Sequence, residues 1–149
     1  MKLSKNFSRA EIEHSNTAKR LGISNEMSEK HLENMQRLID NLIQPMRDAI
    51  GPIRISSGYR SPKLNKAIGG SSRSQHSKAE ALDLQYWIGG KMNNKVIYDW
   101  VLDSGVEFDQ MINEFDYSWV HISLKKNSNR MQVLEAYKDN DGDTAYKLV

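Results

Sequence analysis

The sequence of 149 residues contains no cysteine, which excludes disulfide bridges, thiolate metal ligands and cysteine nucleophiles. Any bound metal ion would therefore be held by histidine, aspartate or glutamate. Long apolar runs are also missing, both at the N-terminus, where a signal peptide would lie, and farther along the chain. We therefore expect synthesis in the cytoplasm without a signal peptide, and no insertion into a membrane.

A strong net charge is absent as well. The chain has 21 Lys and Arg against 19 Asp and Glu, a formal charge of +2, and the basic residues are spread along its whole length. This pattern does not indicate a nucleic-acid-binding protein. No repeat or low-complexity linker divides the chain, so we expect a single domain over residues 1–149, acting as a monomer.

The hydrophobic spacing predicts an α+β fold. A helix is expected from Ser28 to the Gly51-Pro52 stop, and a short strand should follow over residues 53–57. The other expected elements are a short helix from Ser61 through Ile68, a strand from Ala79 to Gln85, a helix over 93–102, and strands near 107–114, 119–124, 131–137 and 144–149. Helices early and strands late predict a mainly antiparallel sheet with helices packed on one side.

One aspartate stands where a carboxylate is costly to bury. Asp83 lies in the apolar end of SQHSKAEALDL (74–84), seven residues after His76, and a metal ion is the strongest partner for such a charge. Of the remaining histidines, only His121 lies in an apolar strand. His76, Asp83 and His121 are therefore the candidate metal ligands. Taken singly, His76 could be a loop residue, His121 could bond a backbone carbonyl, and Asp83 could pair with Arg60.

The predicted hairpin after Glu114 supplies a candidate general base. A turn centred on residues 116–117 places Glu114 opposite Trp119 and makes it a diagonal neighbour of His121 on the same sheet face. Glu114 is the first choice for the base and Asp116, at the turn, is the second. The alternative for Glu114 is an ordinary exposed strand residue.

Four segments in a fixed order carry a resemblance to a known family: SGYRSPKLN (57–65), SQHSKAEALDL (74–84), FDQMINEF (108–115) and WVHIS (119–123). Together they resemble the zinc peptidases of the D-alanyl-D-alanine carboxypeptidase and L-alanyl-D-glutamate endopeptidase family, and they are most similar to its small phage or prophage members. The opening NFSRAEIEHSNTAKRLGISN (6–25) is similar to those members too. The family pattern S-x-H-x-x-G-x-A-x-D, with a distant histidine, is matched by Ser74, His76, Ala81, Asp83 and His121.

The resemblance implies Zn²⁺ on the three candidate ligands and hydrolysis of a peptide bond in peptidoglycan stem or cross-bridge peptides that contain D-amino acids. Glu114 would move the proton of the attacking water. Arg60 would stabilise the oxyanion or hold a substrate carboxylate, and Ser74 would contact the substrate. Arg60 could instead bridge to a surface acid, and Ser74 could simply be solvated.

Two positions depart from the family pattern. Ala79 stands where glycine is usual, and Ser118 stands where many relatives have the general-base carboxylate. Two other classes of function therefore stay open: a non-catalytic zinc-binding module, as in hedgehog signalling domains on the same scaffold, and a structural virion protein. As an enzyme, the protein would reach the cell wall after release from the cell or as a virion component.

The acidic run at residues 139–143 has the alternation of a calcium loop but lacks its spacing of glycine and distal glutamate. We interpret Asp141-Gly142 as a hairpin turn between the last two strands.

Overall fold

The computed structural model describes residues 1–149 and places a seven-stranded sheet at the centre of the fold. The strands are β1 (Ile53–Ser57), β2 (Ala81–Ile88), β3 (Lys91–Met92), β4 (Gln110–Glu114), β5 (Trp119–Ser123), β6 (Gln132–Lys138) and β7 (Thr144–Leu148). Their order is β1-β2-β5-β4-β6-β7, and β3 pairs only with β2. All pairs are antiparallel except β4 with β6, which confirms the predicted α+β class.

Most helices precede the strands that form the centre of the sheet. They are α1 (Arg9–Glu13), α2 (Asn16–Leu21), α3 (Glu29–Leu38), a π-helical segment (Ile39–Ile43), α4 (Gln44–Ile50), α5 (Pro62–Ala67), a 3₁₀ turn (Gln75–Lys78) and α6 (Lys95–Ser104). Ser28 and Ser61 cap α3 and α5 as predicted, since their hydroxyls accept from the backbone N–H groups of His31 and Leu64. The helices α1 and α2 were not predicted, because each is shorter than two full turns.

The helix predicted from Ser28 is continuous but changes its winding in the middle. Its π-helical segment ends just before Pro45, and Gln44 N–H bonds to Ile39 O, five residues back. A proline inside a helix removes one backbone donor and its ring crowds the preceding turn. The wider π turn is a usual way to accommodate that crowding.

The predicted strand from Ala79 begins two residues later than expected. Ala79 has a φ of 57°, a left-handed conformation that ends the 3₁₀ turn, and β2 starts at Ala81. The later strands lie within a few residues of their predicted bounds. The acidic run forms the β6–β7 hairpin turn as expected, with backbone N–H groups of Asp141 and Asp143 donating to Asp139 Oδ1.

The two faces of the central sheet carry different residues because side chains alternate along each strand. One face carries Leu82, Leu84, Val120 and Ile122, which belong to one hydrophobic core with residues of α3, the π-helical segment, α4 and α6. The other face presents the polar residues described below. No helix combines the length and the apolar character needed to cross a membrane.

Candidate metal centre

The three predicted metal ligands meet on the face of the sheet opposite the hydrophobic core. Asp83 and His121 are direct partners across the β2–β5 ladder, and His76 reaches them from the 3₁₀ turn that precedes β2. Asp83 Oδ1 lies 3.2 Å from His76 Nε2 and 3.0 Å from His121 Nδ1. One ligand atom from each residue lies within 4.8 Å of the others, and all three residues are buried.

The turn that carries His76 is held by one side-chain and one backbone hydrogen bond. Ser74 Oγ accepts from His76 N–H at 3.2 Å, and the N–H of Glu80 closes the turn on Gln75 O at 3.0 Å. That closure needs the left-handed conformation of Ala79, which glycine adopts freely and which costs an L-residue about 1–2 kcal/mol. Alanine therefore occupies the position with the backbone that a glycine would have, and His76 still reaches the site.

The residues present fit a zinc ion by the chemistry of their donor atoms. His76 Nδ1 lies 2.7 Å from the carbonyl oxygen of Gly58, which can only accept, so this nitrogen carries the hydrogen and Nε2 keeps its lone pair. His121 turns Nδ1 toward Asp83 and has an acceptor, Gln75 Oε1, 2.8 Å from Nε2. Two neutral imidazoles and one carboxylate are a ligand set of catalytic zinc sites.

Asp83 is ionised despite its burial. Burial by itself would raise its pKa, but the charge of His76 in its protonated form and the hydrogen bonds that protonated His121 and His76 donate hold the pKa well below the ordinary value. Its second oxygen, Oδ2, lies 3.6 Å from Nη2 of Arg60. The pairing with Arg60, which was the alternative to a metal-ligand role for Asp83, is therefore present in the same site as the two histidines.

Glu114 lies beside the metal centre in the predicted register. It pairs with Trp119 across the β4–β5 ladder, while Ile112 pairs with His121, so the two pairs are adjacent on one face. The residue is only 8% exposed. Burial raises the pKa of Glu114 to about 6, with His121 lowering it and Asp83 raising it further. A carboxyl group with this pKa can both accept and return a proton near neutral pH.

The other two candidate base positions lie outside the cleft. Asp116 is exposed in the turn between β4 and β5, and neither it nor Ser118 lines the cleft. The Ser118 hydroxyl donates to the carbonyl oxygen of Phe115 at 2.7 Å and so closes the turn. Residues 115–117 all have positive φ, which makes this a left-handed turn without glycine.

The metal centre opens into a cleft of about 750 Å³. Arg60 and Ser74, the two residues predicted to contact substrate, both line it. The far wall comes from the C-terminal hairpin β6–β7, including Leu134 and Tyr146. Sequence reasoning missed this wall, since nothing in its spacing indicates that β6 joins the sheet beside β4.

Gln75 and Asp109 were also missed. Asp109 is fully buried. Its carboxylate accepts a hydrogen bond from Gln75 Nε2 at 3.0 Å and two hydrogen bonds from the guanidinium of Arg130. The sequence did contain a signal for a buried acid at Asp109, because it directly follows the apolar Phe108, just as Asp83 directly follows the apolar Leu82.

A buried His-Asp-His set, open to a cleft and flanked by a carboxylate, is the arrangement of a metal-dependent hydrolase. Residues 5–123 match the sequence model of a family described as Peptidase M15, and the chain belongs to this family. The family is zinc-dependent, and the protein is accordingly a metallopeptidase in class. A search of curated proteins finds no match to the chain.

Proposed function

We propose that the protein is a zinc-dependent peptidase that hydrolyses a peptide bond in the stem or cross-bridge peptides of bacterial peptidoglycan, on substrates that contain D-amino acids. The observation that carries the proposal is the position of Glu114, a buried carboxyl with a raised pKa next to the His76, Asp83 and His121 set. Family membership supports the metal and the reaction class.

His76, Asp83 and His121 would hold the zinc ion. When bound, zinc lowers the pKa of water toward about 7 and polarises the substrate carbonyl. Glu114 accepts the proton of the attacking water and then donates it to the leaving amine, a role typically worth about 10²–10⁴ in rate. Its burial serves this role, because a carboxyl with an ordinary pKa would return the proton less readily.

Arg60 has the position and the free donors to bind the substrate. Its Nε and Nη2 contact Ser57 Oγ at 3.3 and 3.2 Å, whereas Nη1 makes no hydrogen bond within the protein. This nitrogen is available to a carbonyl that develops negative charge or to a substrate carboxylate. Ser74 lies at the same cleft, but its hydroxyl already caps the 3₁₀ turn, so its contact with substrate would be secondary.

The test is mass spectrometry of purified peptidoglycan incubated with zinc-loaded protein, next to Glu114→Gln, His121→Ala and the surface control Glu33→Gln. We expect new peptide ends with the wild type and with the control only, and their masses identify the bond that is cut. Glu114→Gln should retain zinc while its rate falls by about 10²-fold or more. Absence of any product across several peptidoglycan chemotypes, with zinc still bound, would instead favour a non-catalytic zinc-binding protein.

A further inference from the structure

A chain of hydrogen bonds leads from His121 away from the metal centre. His121 Nε2 lies 2.8 Å from Gln75 Oε1, and Gln75 Nε2 donates to Asp109 Oδ2 at 3.0 Å. Arg130 closes the chain, since its Nε and Nη2 donate to the two oxygens of Asp109 at 3.0 and 2.9 Å. None of these three supporting residues belongs to the metal ligand set.

The direction of each hydrogen bond follows from the end of the chain. Asp109 is 0% exposed, and its oxygens accept from the backbone N–H and guanidinium of Arg130 and from the Gln75 amide, with Lys125 Nζ at 3.6 Å. A carboxylate surrounded by donors can only accept, so Gln75 must turn its NH₂ group toward it. The amide oxygen of Gln75 then necessarily faces the imidazole.

That orientation selects one tautomer of His121. The Gln75 oxygen can only accept, so it favours the neutral ring with its hydrogen on Nε2 and its lone pair on Nδ1, whereas the carboxylate of Asp83 favours the opposite tautomer. A ring that gives its Nδ1 lone pair to a metal carries its hydrogen on Nε2, and Gln75 is the acceptor placed for that hydrogen. Nδ1 is the nitrogen that faces Asp83 Oδ1 at 3.0 Å, inside the metal centre. Without Gln75, Asp83 would draw the hydrogen onto Nδ1 and leave a ring that is hydrogen-bonded to the carboxylate and unable to bind a metal there.

We propose that Gln75, held by Asp109 and Arg130, is a positioning residue that fixes the Nε2–H tautomer of His121 and so keeps Nδ1 available to zinc. The inference rests on the proposed function for the identity of the metal. Gln75 has no direct role in catalysis or substrate binding here, since it acts only through its hydrogen bond with the imidazole of His121. Partners of this kind around metal ligands typically contribute about 10–100-fold in metal affinity.

The test compares two variants with the wild type. Gln75→Met preserves the length and volume of the side chain but removes the strong acceptor. Gln132→Met is the matched control, because Gln132 is half-buried and its side chain is hydrogen-bonded only to the side chain of Gln110.

The measurements are the zinc Kd, from competition with a chromogenic chelator, and the imidazole tautomers of zinc-free protein at pH 8, from long-range ¹H–¹⁵N spectra. We expect Gln75→Met to raise the Kd about 10–100-fold and to lose the Nε2–H pattern of His121. The control should match the wild type in both measurements.

An unchanged Kd in Gln75→Met would overturn the inference, and so would a raised Kd with an unchanged tautomer. Thermal melting of each variant checks that the fold is retained. If the wild type itself bound no zinc, the proposed function would fail, but the tautomer of the zinc-free protein would still decide the role of Gln75.

Discussion

Replacing Glu114 with glutamine should stabilise the metal-free protein while it lowers the proposed activity by about 10²-fold or more. Burial raises the pKa of Glu114 from 4.5 to about 6, so the folded protein binds more protons than the unfolded chain between these two values. The stability of the wild type therefore falls as pH rises through this window, because ionising the buried carboxyl opposes folding. The raised pKa of Glu114 corresponds to a loss of about 2 kcal/mol in the free energy of unfolding at pH 7, which solvent screening reduces to about 1–2 kcal/mol.

The assay is urea unfolding of chelator-treated Glu114→Gln and wild type at pH 7 and at pH 4. The variant should be more stable by about 1–2 kcal/mol at pH 7, and the two should be equal at pH 4, where the carboxyl is protonated in both states. Exposed Glu33→Gln should show no such pH dependence. Added zinc should shrink the advantage of the variant, since its charge favours the ionised carboxylate. A stability difference that is the same at both pH values would refute the reasoning.

Three further outcomes are expected. Zinc should stabilise the wild type by about 4 kcal/mol at 1,000 times its Kd but leave His121→Ala unchanged, as thermal melts with added zinc would show. Gly58→Ala should lower the free energy of unfolding by about 1–3 kcal/mol and weaken zinc binding, because the new Cβ would collide with the Ile12 carbonyl and displace the Gly58 oxygen that orients His76. Urea unfolding and zinc titration test the two effects, and wild-type behaviour in both would contradict this account. Ala79→Val should cost about 2–3 kcal/mol by urea unfolding, since a β-branched residue is forced into a buried left-handed position, and a loss below the error of the measurement would count against the strain.

Two of the three candidate metal ligands were predictable because each carries its own physical signal, and His76 was found from its spacing to Asp83. Asp83 stands out as an acid in an apolar strand, and His121 as the one histidine of such a strand. Glu114 followed from counting by two across a short turn, and the observed β4–β5 register confirms that count. In each case the prediction uses only neighbouring residues, because the alternation of side chains along a strand determines which face of the sheet a residue lies on.

The features that escaped prediction depend on contacts between distant parts of the chain. Gln75 lies in a Ser-rich loop, and only the fold brings its amide between His121 and Asp109. The parallel pairing of β4 with β6 left no trace in the sequence either, because the spacing of apolar residues does not specify a partner strand. The start of β2 was misplaced for a third reason, since an alanine gives no warning of a left-handed backbone.

The ladder between β2 and β5 determines when the protein can acquire its metal. It joins Asp83 to His121 across 38 residues of chain, so the third ligand arrives only after a long loop has closed. As the proposed zinc peptidase, the protein would complete its metal site only once this ladder has formed. Chains that fold in a zinc-poor environment would then lack activity until the ion is supplied.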